Sequence, residues 1–186
     1  MTGNYPLLAE DITQAPQIEL DNGYKFHAFS FGERGTRLTP ELVKEITTGF
    51  IQKILQMEKQ FDYFDYIVTI VPGGDRWGLL VAHTLQASLV TILDQPTGLP
   101  DEFRVRQKNP LYNRDLFLCG FKAGDRVIFI DDVVSTGSTV KTVIRTLREK
   151  GVIIQGVFCI VTKGEDYKKI EAEEKIPIHS LMNLPS

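Results

Sequence analysis

The chain has 186 residues, 42% of them hydrophobic and 24% charged, which is enough apolar material for one ordinary core and too short a length for a second independent domain. A formal net charge of −3 argues against a general nucleic-acid binder, and no apolar run approaches the ~20 residues of a membrane span. The N-terminus M-T-G-N-Y-P has no basic stretch followed by an apolar one, so a cytoplasmic protein is expected. The two cysteines, Cys119 and Cys159, lie in hydrophobic surroundings without metal-ligand spacing and are expected as buried free thiols.

The first forty residues are punctuated by Pro and Gly and contain no repeat. Thr39-Pro40-Glu41 reads as a helix start: Thr caps, Pro suits the first turn, and the acid complements the dipole. Val43, Ile46, Phe50 and Ile54, flanked by Leu42 and Leu55, predict a core-facing helix through about Met57. Residues 66–71 form a β-branched strand closed by Pro72-Gly73-Gly74, residues 77–85 a helix, and residues 89–93 a buried strand. Residues 94–120 carry three Pro, two Gly and several charges around short extended pieces, too long for a plain connector; a mobile functional lid is expected over about 94–118. Residues 127–130 are a strand, and Val140, Val143, Ile144 and Leu147 mark a helix that runs from about Ser138 to a stop at Gly151. Residues 152–162 make the next strand and residues 176–181 a short last one.

Strands alternating with helices predict an α/β fold, a mostly parallel, doubly wound sheet with helices on both faces. Ligands bind such sheets outside the carboxyl ends of the strands. The loop after Val71, the loop after Ile130 and Lys163 all fall there.

The most informative stretch is V-I-F-I-D-D-V-V-S-T-G-S-T, residues 127–139. A continuous apolar run suits a strand covered on both faces, and two adjacent carboxylates, Asp131 and Asp132, end it. Ser135, Thr136, Gly137, Ser138 and Thr139 then offer hydroxyls and backbone N–H groups where a helix begins, which is a cradle for phosphate. Carboxylates accept hydrogen bonds from neighbouring sugar hydroxyls, whereas a phosphate dianion needs donors and the positive end of a helix. A P-loop would carry a Lys after its Gly, and none is present.

This stretch resembles the phosphoribosyl diphosphate (PRPP) signature of type I phosphoribosyltransferases, four hydrophobic residues followed by two acids and a T-G-x-T turn. The resemblance implies that Asp131 and Asp132 hydrogen-bond the ribose 2′ and 3′ hydroxyls and that residues 135–139 bind the 5′-phosphate. It also implies that Gly73, Gly74, Asp75 and Arg76 form the loop that receives pyrophosphate, a loop that in this family often holds a non-proline cis peptide. Arg104, Arg106 and Lys108 belong to the region that becomes the mobile catalytic loop in relatives. Arg104 and Arg106 share one side of a strand, so they either present two cations to pyrophosphate, with Arg106 catalytic, or form a solvated charged edge.

The tail, with V-T-K-G after the last core strand, an acidic segment and I-H-S-L-M-N-L, resembles purine phosphoribosyltransferases of the archaeal hypoxanthine/guanine type, related to adenine and xanthine enzymes. The likeness reaches upstream through R-L-T-P-E-L-V-K-E-I and is loosest over residues 94–118. It implies a single domain over residues 1–186, with a core over about 39–163 and a small hood from about 1–38 plus 164–186. It also implies Mg²⁺ brought by PRPP beside Asp131 and Asp132, a purine base as co-substrate, and a homodimer. Lys163 and Val133 then border the base, where the Lys163 ammonium donates to a 6-oxo group; Lys163 equally suits a strand end in solvent.

Ser135 stands where other hypoxanthine–guanine enzymes carry an Asp near purine N7, so the proton acceptor is unassigned, with Glu102 and Asp115 as the lid's alternatives. Trp77 reads as core, and His27, His83 and His179 as structural. A non-catalytic PRPP-binding regulator is the alternative from another class. Adenine or orotate enzymes are further alternatives, although the orotate K-x-x-K-x-H-G loop is missing.

Overall fold

Along a strand buried on both faces, successive side chains serve opposite sides, and the middle of the chain shows this directly. In the computed structural model, which describes residues 4–35, 37–57, 63–109 and 111–185, Val127 and Phe129 pack into one core while Ile128 and Ile130 pack into the other. These residues belong to the central strand of a five-stranded, wholly parallel sheet. Its strands are β3 (Tyr66–Ile70), β4 (Ser88–Ile92), β7 (Arg126–Val134), β8 (Ile153–Lys163) and β9 (Ile178–Leu184), in the spatial order β4-β3-β7-β8-β9. The chain leaves β3 in one direction and resumes in the other at β7, which puts the topological switch point between these two strands.

One face is covered by α2 (Pro40–Met57), α3 (Gly74–Leu85) and residues of α1 (Pro6–Gln14). The helix predicted from Thr39 begins as expected: Thr39 Oγ1 accepts the Leu42 N–H at 3.3 Å, and Leu42, Ile46, Phe50 and Ile54 are buried. Leu55 stays outside the core. The other face is covered by α4 (Ser138–Glu149), by α5 (Asp166–Glu174) and by an antiparallel hairpin, β5 (Phe103–Lys108) and β6 (Asn113–Leu118). The hairpin turns Val105, Leu116 and Leu118 into the core, so much of the segment expected as a lid packs as a layer of the fold.

Other expectations change as well. The signature strand does not stop at the acids but pairs with β8 as far as Val134–Thr162. The C-terminal part of the expected hood is sheet: β9 completes the parallel edge beside β8, because Ile178 and Leu181 have core to join. Helix α5 was legible only as an acidic segment. Its apolar stripe is thin, Ile170 being its one buried hydrophobic residue, and charge pairs support it instead, with Arg145 and Arg148 of α4 both meeting the buried Glu174. Cys159 is buried as expected, whereas Cys119, at the hairpin's end, is only partly covered.

The N-terminal segment carries a small antiparallel pair, β1 (Gln17–Glu19) and β2 (Lys25–His27), and reaches the sheet through polar pins. Asp11 of α1 accepts both the N–H and the hydroxyl of Ser30. Trp77, fully buried as expected, donates its indole N–H to Phe31 O at 2.9 Å. These bonds hold residues 26–35 over the carboxyl ends of β3 and β7, where the cleft lies.

Candidate active site

Two glycine-dependent turns bring the site's two halves together. After β3 the chain passes through the cis peptide Val71–Pro72, an X-Pro bond rather than the non-proline one the family resemblance suggested. Gly73 follows at φ +110°, and a Cβ there would lie 2.5 Å from Asp132 Oδ2. The loop therefore lies directly against the acids, as only glycine permits. After β7, Gly137 at φ +64° starts α4, with a methyl group excluded by Ile170. No side chain caps α4, so its first N–H groups have no side-chain partner at the turn where Ser135, Thr136, Ser138 and Thr139 line the cleft.

The cleft these turns frame has a volume of about 1060 Å³ counted to its open mouth. Asp131, Asp132, Val133, Ser135, Thr136, Gly137, Ser138, Thr139 and Lys163 all line it, so the sequence-derived ribose, phosphate and base residues meet in one place. Asp132 is buried and its two oxygens are occupied, Oδ2 by the Glu33 N–H at 2.8 Å and Oδ1 by the Val133 N–H at 2.7 Å. Asp131 Oδ1 accepts the Asp132 N–H at 3.0 Å. Burial, and then the charge of Asp132, pushes the Asp131 carboxyl well above the usual range. Burial, and then the charge of Glu33, pushes Asp132 up to about 6. Lys163 is half-buried, with Nζ 5.4 Å from the Phe29 ring, and burial lowers its pKa.

Several predicted residues stand apart from the cleft lining. Gly73 and Gly74 are packed behind the acids, and Asp75 Oδ1 accepts the Gly73 N–H at 2.9 Å, closing the turn. Arg76 sits in the first turn of α3, outside the lining. Arg104 and Arg106 do share a strand face, but it is the outer one: both pair with Asp115, at 3.6 and 3.1 Å. Contact between either arginine and a ligand in the cleft would need the hairpin to move. Glu102 is engaged with Thr97, so neither acid considered for the lid faces the cleft.

Sequence reasoning missed the opposite wall. Phe26, His27, Phe29, Glu33 and Arg34 from the N-terminal segment line it, as do Gln107, Asn109, Tyr112 and Arg114 from the hairpin. His27 is thus a cleft residue rather than a purely structural one. Glu33 is the third carboxylate of the cleft, and its Oε1 is buried without a hydrogen-bond partner. Burial, and then the charge of Glu33, raises the pKa of the Tyr112 phenol. The F-G-E-R-G glycines were the one available signal of a tight turn bearing charge.

Residues 41–179 match the phosphoribosyl transferase domain. The chain belongs to the phosphoribosyltransferase family. It is 31% identical to a hypoxanthine/guanine phosphoribosyltransferase of Methanothrix thermoacetophila over 89% of this chain and 84% of that one. It is 29% identical to the corresponding protein of Methanotorris igneus over 96% and 94%. A solved adenine phosphoribosyltransferase of Trypanosoma brucei, in complex with AMP, pyrophosphate and ribose-5-phosphate, shares the fold with a TM-score of 0.76 at 15% identity, covering 98% of this chain and 82% of that chain.

Mg²⁺ takes hard oxygen ligands, and the donor set fits a supporting role. One oxygen of Asp131 and Oε1 of Glu33 accept no protein hydrogen bond, whereas each oxygen of Asp132 already accepts one. Among the described residues no group of three or more His, Cys, Asp or Glu side chains is arranged to hold a metal ion.

Proposed function

We propose that this protein transfers the phosphoribosyl group of PRPP to N9 of a purine base, with release of pyrophosphate and with 6-oxopurines favoured. One observation carries the reading: an acid pair with Asp132 buried, an uncapped hydroxyl-lined helix start and a half-buried lysine line a single cleft. Those are the groups that a sugar diol, a terminal phosphate and a 6-oxo base require. Family membership and the hypoxanthine/guanine relatives support it.

In this reading Asp131 and Asp132 accept hydrogen bonds from the ribose hydroxyls and place the anomeric carbon. Their negative charge also favours the cationic character that carbon acquires as pyrophosphate departs. Ser135, Thr136, Ser138 and Thr139 with the α4 N–H groups hold the 5′-phosphate, and the loop after β3, through Val71 and Pro72, borders the leaving-group side. Mg²⁺ bound with PRPP supplies charge neutralisation on that leaving group. Lys163, a donor only, favours a base with an acceptor at position 6, and Val133 borders the base with an apolar surface. Glu33 is the carboxylate placed to accept a proton within the cleft, taking the role for which Glu102 and Asp115 are misplaced.

Incubation with Mg²⁺, PRPP and each of adenine, hypoxanthine, guanine, xanthine, orotate and uracil tests the reading. Nucleotide from hypoxanthine or guanine, and less from adenine, is expected. Product only from orotate or uracil would overturn it, and tight PRPP binding with no product from any base would identify a regulator instead.

A further inference from the structure

Gln107 is the most enclosed polar side chain of the hairpin, 6% exposed, and both ends of its amide are committed. Its Nε2 donates to Thr139 Oγ1 at 3.0 Å, and Asn109 Nδ2 donates to the same oxygen at 3.1 Å. A hydroxyl has two acceptor lone pairs and one proton, so these two amides use its acceptor capacity and leave the O–H to donate. In a turn that holds phosphate, that polarity is the useful one.

At its other end Gln107 Oε1 accepts from Arg114 Nε at 2.7 Å. Arg114 then donates through Nη2 to Val71 O at 2.7 Å, just ahead of Pro72-Gly73-Gly74, and through Nη1 to Asp94 at 2.9 Å. Its guanidinium lies 4.0 Å from the centre of the Tyr112 ring. Three of its five N–H groups are thereby used and two remain. The side chain is only 20% exposed yet lines the cleft, whereas Arg76, Arg104 and Arg106 do not. One unbroken hydrogen-bonded chain, Thr139–Gln107–Arg114–Val71, therefore links the phosphate turn after β7 to the loop after β3.

We propose that Arg114 is the cleft cation that binds the pyrophosphate end of PRPP, and that Gln107 is a positioning residue fixing Arg114 relative to the 5′-phosphate turn. The proposal rests on the PRPP reading above. A ligand anionic at both ends needs its two sites at a set separation, and a buried amide bonded at both ends sets it.

Calorimetry of the full chain with Mg²⁺ plus pyrophosphate, and separately with ribose-5-phosphate, tests this. Arg114→Gln should weaken pyrophosphate at least about tenfold while ribose-5-phosphate changes less than about twofold. Arg114→Lys should recover part of the loss, because it restores charge without the fork. Gln107→Leu should weaken both ligands. Adding it to Arg114→Gln should cost pyrophosphate binding nothing further, because Gln107 acts on that ligand only through Arg114. Additive losses would overturn the positioning role. Unchanged pyrophosphate affinity in Arg114→Gln, or in Arg114→Lys should the first variant fail to fold, would overturn the assignment of Arg114. A wild-type chain that binds ribose-5-phosphate in either of those cases leaves the PRPP reading standing; one that binds neither ligand defeats both.

Discussion

The two walls of the cleft are built by different means. The wall after β7 is local: eight consecutive residues from Asp132 to Thr139 supply an acid, a glycine turn and a helix start, and the neighbouring Gly73 packs against the acid's oxygen. The opposing wall is assembled from segments far apart in sequence, with Glu33 meeting Asp132 across 99 positions and Gln107 meeting Thr139 across 32. The first wall tolerates no change of backbone, whereas the second depends on side chains that can be replaced one at a time. Substitutions can therefore separate chemistry from assembly.

The largest effect is expected at the local wall. Asp131→Asn combined with Asp132→Asn should lower turnover by about a thousandfold or more, with an unaltered circular dichroism spectrum. Full activity in that double variant would contradict the assignment of the acids.

Burial of the same acids should cost the fold stability. Folded Asp132 keeps its proton up to about pH 6, against 3.8 for an ordinary Asp. The native state thus binds more protons than the unfolded one between those values, so stability should fall as pH rises through the window, and the raised Asp131 carboxyl adds to the fall. Asp132→Asn should reduce that slope and add at most about 3 kcal/mol at pH 7, read from urea denaturation midpoints across pH. A flat wild-type profile would show that the pair carries no such penalty.

Gly73→Ala should cost about 1–3 kcal/mol through its positive φ and should also reduce activity, because the added methyl group displaces Asp132. Trp77→Phe tests the assembled wall: it strands Phe31 O and should cost about 1–3 kcal/mol, with a raised KM for the base rather than for PRPP. Equal effects on both substrates would deny the segment its separate role. The smallest effect is expected from Glu33→Gln on the pH profile. Removing that negative charge should let Asp132 ionise more readily, which moves the acidic limb of kcat/KM for PRPP to lower pH.

What the sequence made legible follows the same division. The 3.6-residue period of α2, the apolar run of β7 and the S-T-G-S-T turn are short-range patterns, and each was readable within a residue or a few. Gly73 was readable as a site of close approach, though not that Asp132 is what it approaches. Arg104 and Arg106 were correctly placed on one strand face, but a period of two does not say which face looks inward, and Val105 and Gln107 take the core side. Arg114, Tyr112 and Glu33 were illegible as site residues because only the packing of the hairpin and of residues 26–35 onto the sheet brings them to the cleft. The final strand's place in the sheet was hidden for a similar reason: its buried residues, Ile178 and Leu181, do not alternate, and such a stretch suits an edge strand and a hood equally well.

The most direct test of the account is a crystal structure of the protein with PRPP and Mg²⁺. The ribose hydroxyls should lie within hydrogen-bond distance of the Asp131 and Asp132 carboxylates, and the 5′-phosphate on the N–H groups that open α4. Density for the ligand anywhere else in the molecule, or a diol turned away from both acids, would contradict it.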